Sequence, residues 1–213
     1  MATVKEHTEV RQQQIIDAAR KLIFNYGSEF LTVKNIAAEV GISEGAIYKH
    51  FKSKKTILTF LLDHIERALL ADIAQVKATS AYVTLDVIEK AVERHFSAVD
   101  LHKGISFQVI AEIISLGDKD LNTQAAVTVQ RYIASLKDLH SAGMDRGTIR
   151  RDIDPEAAAT LLFGLIQGLV SIWTLSNGSF DLNTKYTELW HVYREAILPR
   201  GKKTPSKGAG TIE

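Results

Sequence analysis

One stripe of apolar residues constrains this chain more than any other feature. Ile57, Leu61, Ile65, Leu69, Ile73 and Val76 recur at steps of four, four, four, four and three. That spacing lays a single apolar face along about five helical turns, and it is incompatible with a strand, whose side chains alternate between faces. A helix that long needs other elements to cover it. The same period recurs through the chain, and no run alternates apolar with polar residues for long enough to make a strand, so the fold is expected to be all-α. Helices are expected over 9–26, 33–40, 44–51, then from a cap at Ser53, and over 84–101, 105–116, 121–144, 155–175 and 183–198.

Composition narrows the chemistry. The 213 residues contain no Cys, which excludes a disulfide framework, a thiolate metal site and a cysteine nucleophile, and agrees with a reducing compartment. The polar start "MATVKEHTEVRQQQ" lacks the apolar core of an export signal, so a cytoplasmic location is expected. Charge is uneven: residues 1–60 carry a net +3, residues 61–198 a net −5 and residues 199–213 a net +3. A basic front end on an acidic body can present one face to a polyanion.

The segment "GISEG", residues 41–45, matches the G-x-S-x-G pattern of a hydrolase nucleophile elbow, with Ser43 as nucleophile. Such an elbow needs a strand entering the turn. Here the entering segment "LTVKNIAAEV" has Val33, Ile36, Ala37 and Val40 at helical spacing, which argues against the serine hydrolase and against an enzyme. Two short helices joined by a Gly-containing turn instead form a helix-turn-helix, whose second helix can enter the major groove of DNA. In that arrangement Ser43 caps the reading helix, while Gly45 and Ala46 leave its outer face small enough for bases to approach. Lys34, Lys54 and Lys55 stand at helix N-termini, where the helix dipole disfavours cations; a docked phosphate would reverse that penalty and would engage Thr32, Lys34 and Lys54. Tyr48 and His50 are expected to project from the reading helix toward phosphates, with packing against the fourth helix as the alternative for His50.

The stretch "RQQQIIDAARKLIFNYGSEFLTVKNIAAEVGISEGAIYKHFKSKKTIL", residues 11–58, resembles the TetR family of bacterial transcriptional regulators in the order and spacing of its motifs. The resemblance implies an N-terminal three-helix helix-turn-helix DNA-binding domain, residues 1–52, followed by a helical effector-binding and dimerisation domain, residues 53–198; residues 199–213, rich in Gly, Pro and Lys, are expected from composition to be a disordered basic tail. It implies a homodimer, most simply a repressor, that binds a near-palindromic double-stranded DNA operator and is released by a small-molecule effector. By position, Thr32, Val33 and Lys34 match the start of the family's second helix. Glu44, Gly45, Ala46, Tyr48, Lys49 and His50 match its recognition helix, and Lys54 matches a lysine that commonly touches phosphate. Acidic Glu44 departs from a generic DNA contact, although it can accept from a cytosine amino group.

The body is less explicit. Residues 157–175 contain no charged side chain, long enough to raise a membrane span, but Gly164, Gly168, Ser171 and Gln167 dilute its hydrophobicity, so no membrane is expected. A helix apolar all round is buried all round, and glycines four apart admit a partner helix. Leu161, Gly164, Leu165, Gly168, Leu169 and Trp173, with Trp190 and Tyr193 from the following helix, are therefore the expected dimer interface. Two reading heads about 34–36 Å apart would then meet successive major grooves. Phe60, His64, Phe96, Phe107, Tyr132 and Phe163 are candidates to line an effector pocket, and the aliphatic richness favours a hydrophobic effector. His64, His95 and His140 lack metal-ligand spacing, so neither a metal nor a cofactor is expected. A helical protein-interaction module whose helix-turn-helix no longer reads DNA is the remaining alternative.

Overall fold

The structure, a computed structural model, describes residues 2–80, 82–102 and 104–200, with side chains from residue 8 onward. The tail expected to be disordered lies, from residue 201, outside the described residues. As the periodicity requires, the described residues form helices and no strand: α1 (Ala2–Tyr26), a 3-10 turn (Ser28–Phe30), α2 (Val33–Val40), α3 (Glu44–Tyr48), α4 (Lys54–Thr79), α5 (Leu85–Leu101), α6 (Ile105–Leu116), α7 (Lys119–Asp145), α8 (Pro155–Leu175) and α9 (Leu182–Ile197).

Capping chemistry sets most boundaries. Thr32 and Ser43 accept from the backbone N–H of Asn35 and Ala46, and Ser53 forms a reciprocal capping box with Thr56. Gly41 adopts the left-handed conformation, φ 75°, that lets α2 turn abruptly into α3. Two boundaries differ from expectation. Helix α1 begins at Ala2 rather than Glu9, because its polar first turns contain no Gly or Pro to stop it. Helix α3 ends at Tyr48 rather than Phe51, because Phe51 turns into the core, 4% exposed, with its ring edge-on to Phe60 at 5.7 Å.

Two hydrophobic cores hold the helices. The first joins Ile15, Ile16, Ala19 and Ile23 of α1 to Ile36, Ile47, Ile57 and Leu61, and it also takes in Ile105, Val109 and Ile113 of α6 and Leu121 and Ala125 of α7. The second is built from the C-terminal half of α4, from α5 and from α7–α9, around Phe96, Tyr132, Leu136, Leu162, Ile166 and Trp190. Helix α4 contributes to both, which is what its unbroken stripe demands. Helix α6 stands between them, with left-handed glycines, Gly104 and Gly117, at its two ends.

Candidate functional site

On the exposed side of the first core lies the helix-turn-helix. Thr32, Lys34, Ser43, Glu44, Gly45, Tyr48 and Lys49 face solvent, and Ala46 is half-buried. A Cβ built on Gly45 would meet only Ser43 Oγ at 3.9 Å, so packing within the chain does not require glycine here. Two residues of the expected DNA face point elsewhere. Val33 packs on the first core, and His50 sits in the turn after α3, half-buried, with its Nδ1 enclosed and unbonded.

The lysines opening α4 also depart from expectation. Lys54 Nζ bonds Glu112 of α6 at 2.5 Å, and Lys55 Nζ reaches Asp118 and Asp120 at the start of α7 at 2.8 Å each. Hydrogen bonds to these carboxylates raise the Lys55 pKa, and the lysine in turn lowers that of Asp118. The misplaced cations are thus neutralised from within the chain, and α6 holds the side chain that the motif assigns to phosphate.

Behind α4, two cavities open in series toward α8. The outer one, 190 Å³, is lined by Arg20, Leu61, His64, Leu69, Asp72 and His102 among others; the inner one, 40 Å³, by Phe107, Ile110, Thr128, Tyr132, Phe163 and Gln167. Leu69, His95 and Ser106 border both. Burial lowers the His95 pKa to about 4, so the ring is neutral at physiological pH. Of the six expected lining residues, the fold brings His64, Phe107, Tyr132 and Phe163 to these cavities. Phe60 instead packs beside the first core, and Phe96 is fully buried against Tyr186, ring centroids 4.6 Å apart. Arg20, His95 and His102 escaped the sequence reading, because nothing in a helical period tells which polar residue of a covered helix borders a void. A larger open groove of 790 Å³ between residues 23–29 and residues 173–182 is lined mainly by polar groups.

The apolar helix α8 is two-faced. Leu162, Ile166, Leu169 and Trp173 enter the second core, together with Trp190 and Tyr193 of α9. The expected interface residues Leu169, Trp173, Trp190 and Tyr193 therefore serve their own protomer. Trp173 Nε1 donates to the Phe180 carbonyl, and Tyr193 Oη lies 2.6 Å from His140 Nε2. The opposite face keeps Leu161 and Ile172, each 60% exposed, with half-buried Leu165 and with Gly164 and Gly168, where an added Cβ would meet nothing within 4 Å. Helix α8 is long and apolar enough to span a membrane by length and composition, yet its inner face is core.

Residues 15–59 match the family model described as "Bacterial regulatory proteins, tetR family", and residues 62–195 match "YsiA-like protein, C-terminal region". The chain is 28% identical over 179 residues to the fatty acid metabolism regulator protein of Bacillus subtilis, covering 81% of this chain and 88% of that one. It is 26% identical over 185 residues to the HTH-type transcriptional regulator TtgR of Pseudomonas putida, covering 84% and 87%. Among solved structures, the transcriptional regulator FadR from Bacillus subtilis in complex with stearoyl-CoA superimposes with a TM-score of 0.75 at 23% identity, over 87% of this chain and 98% of that one.

Proposed function

Since the chain belongs to the TetR family of bacterial regulatory proteins, and is by that membership a ligand-responsive transcriptional regulator, we propose that it is a cytoplasmic homodimeric repressor, and not an enzyme. It binds a near-palindromic operator through α2 and α3. Thr32, Lys34, Tyr48 and Lys49 contact phosphates, the small outer face at Gly45 and Ala46 approaches bases, and Lys54 joins the phosphate contacts when Glu112 releases it. The two protomers meet through the outer face of α8, where Leu161, Gly164, Gly168 and Ile172 are exposed and half-buried Leu165 borders them. Interior glycine costs a helix about 1 kcal/mol relative to alanine, a cost that a closely approaching partner helix offsets.

The effector enters the paired cavities between α4, α5, α6, α7 and α8. Their mainly apolar walls favour a molecule with a hydrocarbon segment, a reading supported by the stearoyl-CoA bound to the similar regulator. The observation that carries the regulatory reading is α6, which lines the cavities through Ser106, Phe107 and Ile110, packs Val109 and Ile113 into the reading unit's core, and holds Lys54. A ligand that binds one placement of α6 more tightly than another, where DNA also prefers one, changes the affinity for DNA by at most that difference in free energy.

The test is binding of the purified full chain to the DNA flanking its own coding region, over a salt series and against random DNA competitor. Specific, salt-dependent binding with a protected near-palindrome is expected, and Tyr48→Ala is expected to weaken it. Weak binding indifferent to sequence, unchanged by Tyr48→Ala, would overturn the proposal in favour of a protein-interaction module.

A further inference from the structure

The outer cavity has an asymmetry that its apolar walls do not explain. Leu61, Leu69 and Val99 make a surface suited to hydrocarbon, yet Arg20, His64 and His102 stand on the same wall. Arg20 comes from α1, the first helix of the reading unit, and crosses to α4, where its Nη1 lies 3.4 Å from His64 Nε2. Among the described residues no carboxylate pairs with this guanidinium. The one acid lining the cavity, Asp72, is engaged by Arg94 at 3.1 Å, and Asp17 on α1 accepts from Gln13. A guanidinium carries five donors in a planar fork suited to a carboxylate or phosphate, and here it has met only a histidine ring.

We propose that the outer cavity binds the anionic head of an amphipathic effector and that Arg20 is the residue that holds it, with the hydrocarbon chain running inward past Leu69 and His95. This rests on the paired cavities being the effector site. His64 and His102 flank the head. The assignment has a consequence for signalling. Ala19, Leu22 and Ile23, the neighbours of Arg20 along α1, are buried in the reading unit's core, so a ligand gripping Arg20 ties that unit to α4 and α5 directly. The head selects the class of effector, and the same contact reports its arrival to the DNA-binding end.

Isothermal titration of the full chain with octanoate, octyl phosphate and 1-octanol tests this, using wild type, Arg20→Met and Arg20→Lys, with circular-dichroism melting to establish that each variant folds. Wild type is expected to prefer at least one anion over the alcohol tenfold or more, and the preferred anion separates a carboxylate from a phosphate head. Arg20→Met is expected to lose that preference while still binding 1-octanol, and Arg20→Lys to keep part of it. Amide exchange over residues 15–26 is expected to slow when the anion binds wild type and not when it binds Arg20→Met. Equal binding of anions and alcohol by wild type, which needs no variant to fold, overturns the inference and leaves the cavity reading intact, as does an anion preference that survives Arg20→Met. Binding of none of the three overturns the cavity reading and this inference with it.

Discussion

The two cores of the molecule differ in how far along the chain they draw their residues. The body core closes on itself from Ile73 onward and takes nothing from α1, α2 or α3. The reading unit's core does not close on its own sequence: Ile105, Val109 and Ile113 arrive from α6 and Leu121 and Ala125 from α7. A self-contained reading head would need a coupling device added to it, whereas this one has a wall supplied by the helix that lines the cavities.

The largest expected effect breaks this contrast at Ile113, fully buried in the first core and borne by α6. Ile113→Ala removes packing and leaves a void, a change that costs about 2–5 kcal/mol in well-packed interiors. Urea denaturation is expected to show that loss, and amide exchange in α2 and α3 to speed up. Exchange left unchanged in α2 and α3 would mean that the reading unit stands independently of α6.

A comparable effect belongs to the body and depends on pH. His95 has a folded pKa lowered by burial to about 4, against 6.5 for the exposed ring. Below pH 6.5 the unfolded chain takes up a proton that the folded chain refuses, so stability falls from pH 6.5 to about 4 and is flat above, a loss of about 3 kcal/mol in all. His64, His102 and His140 are lowered too and slope the same way, so the measurement is the difference between wild type and His95→Leu. A flatter profile for the variant in that window is expected, and parallel profiles would show that His95 ionises freely in the fold.

Helix α8 offers a smaller test, because the proposal assigns its two faces to different partners. Leu161→Asp changes a side chain 60% exposed in the protomer, so the folded unit is expected to keep its melting temperature while the dimer dissociates at least tenfold more readily in analytical ultracentrifugation. Loss of helicity at equal concentration would show that α8 has no separable outer face.

What was legible in the sequence follows the same division. The reading unit's helices could be read because caps and turns bound them: Thr32, Gly41, Ser43 and Ser53 each fix local backbone, and local chemistry is what a sequence exhibits. The helices of the body were legible from period alone, and the choice of face was not. Trp173 and Leu169 lie on the same uncharged stretch of helix as Leu161 and Ile172, and no charged residue there marks which side meets α9. Arg20 and Glu112 were missed because each acts across the chain, on His64 and Lys54, and pairings so distant leave no spacing to recognise.

The smallest expected effect sharpens the contrast where the two regions touch. Lys54 is an ordinary half-exposed lysine with 30% of its side chain accessible, and its pairing with Glu112 is worth about 1 kcal/mol or less by comparison with other accessible ion pairs. Glu112→Gln keeps the shape of the side chain and removes its charge, so Lys54 becomes free for a phosphate. Operator binding is then expected to tighten up to about fivefold, with the salt slope steeper by about one unit. Lys54→Ala is expected to do the reverse, and in the double variant the gain from Glu112→Gln should vanish, because the carboxylate then has nothing to withhold. A gain that persists without Lys54 would mean that Glu112 acts on DNA through general repulsion. On the proposal that this pairing competes with DNA, phosphate at Lys54 would leave Glu112 unpaired, and by reciprocity the operator would shift the affinity for the effector by the factor by which the effector shifts that for the operator. Effector titrations with and without operator DNA are therefore expected to differ in wild type and to differ less in Glu112→Gln.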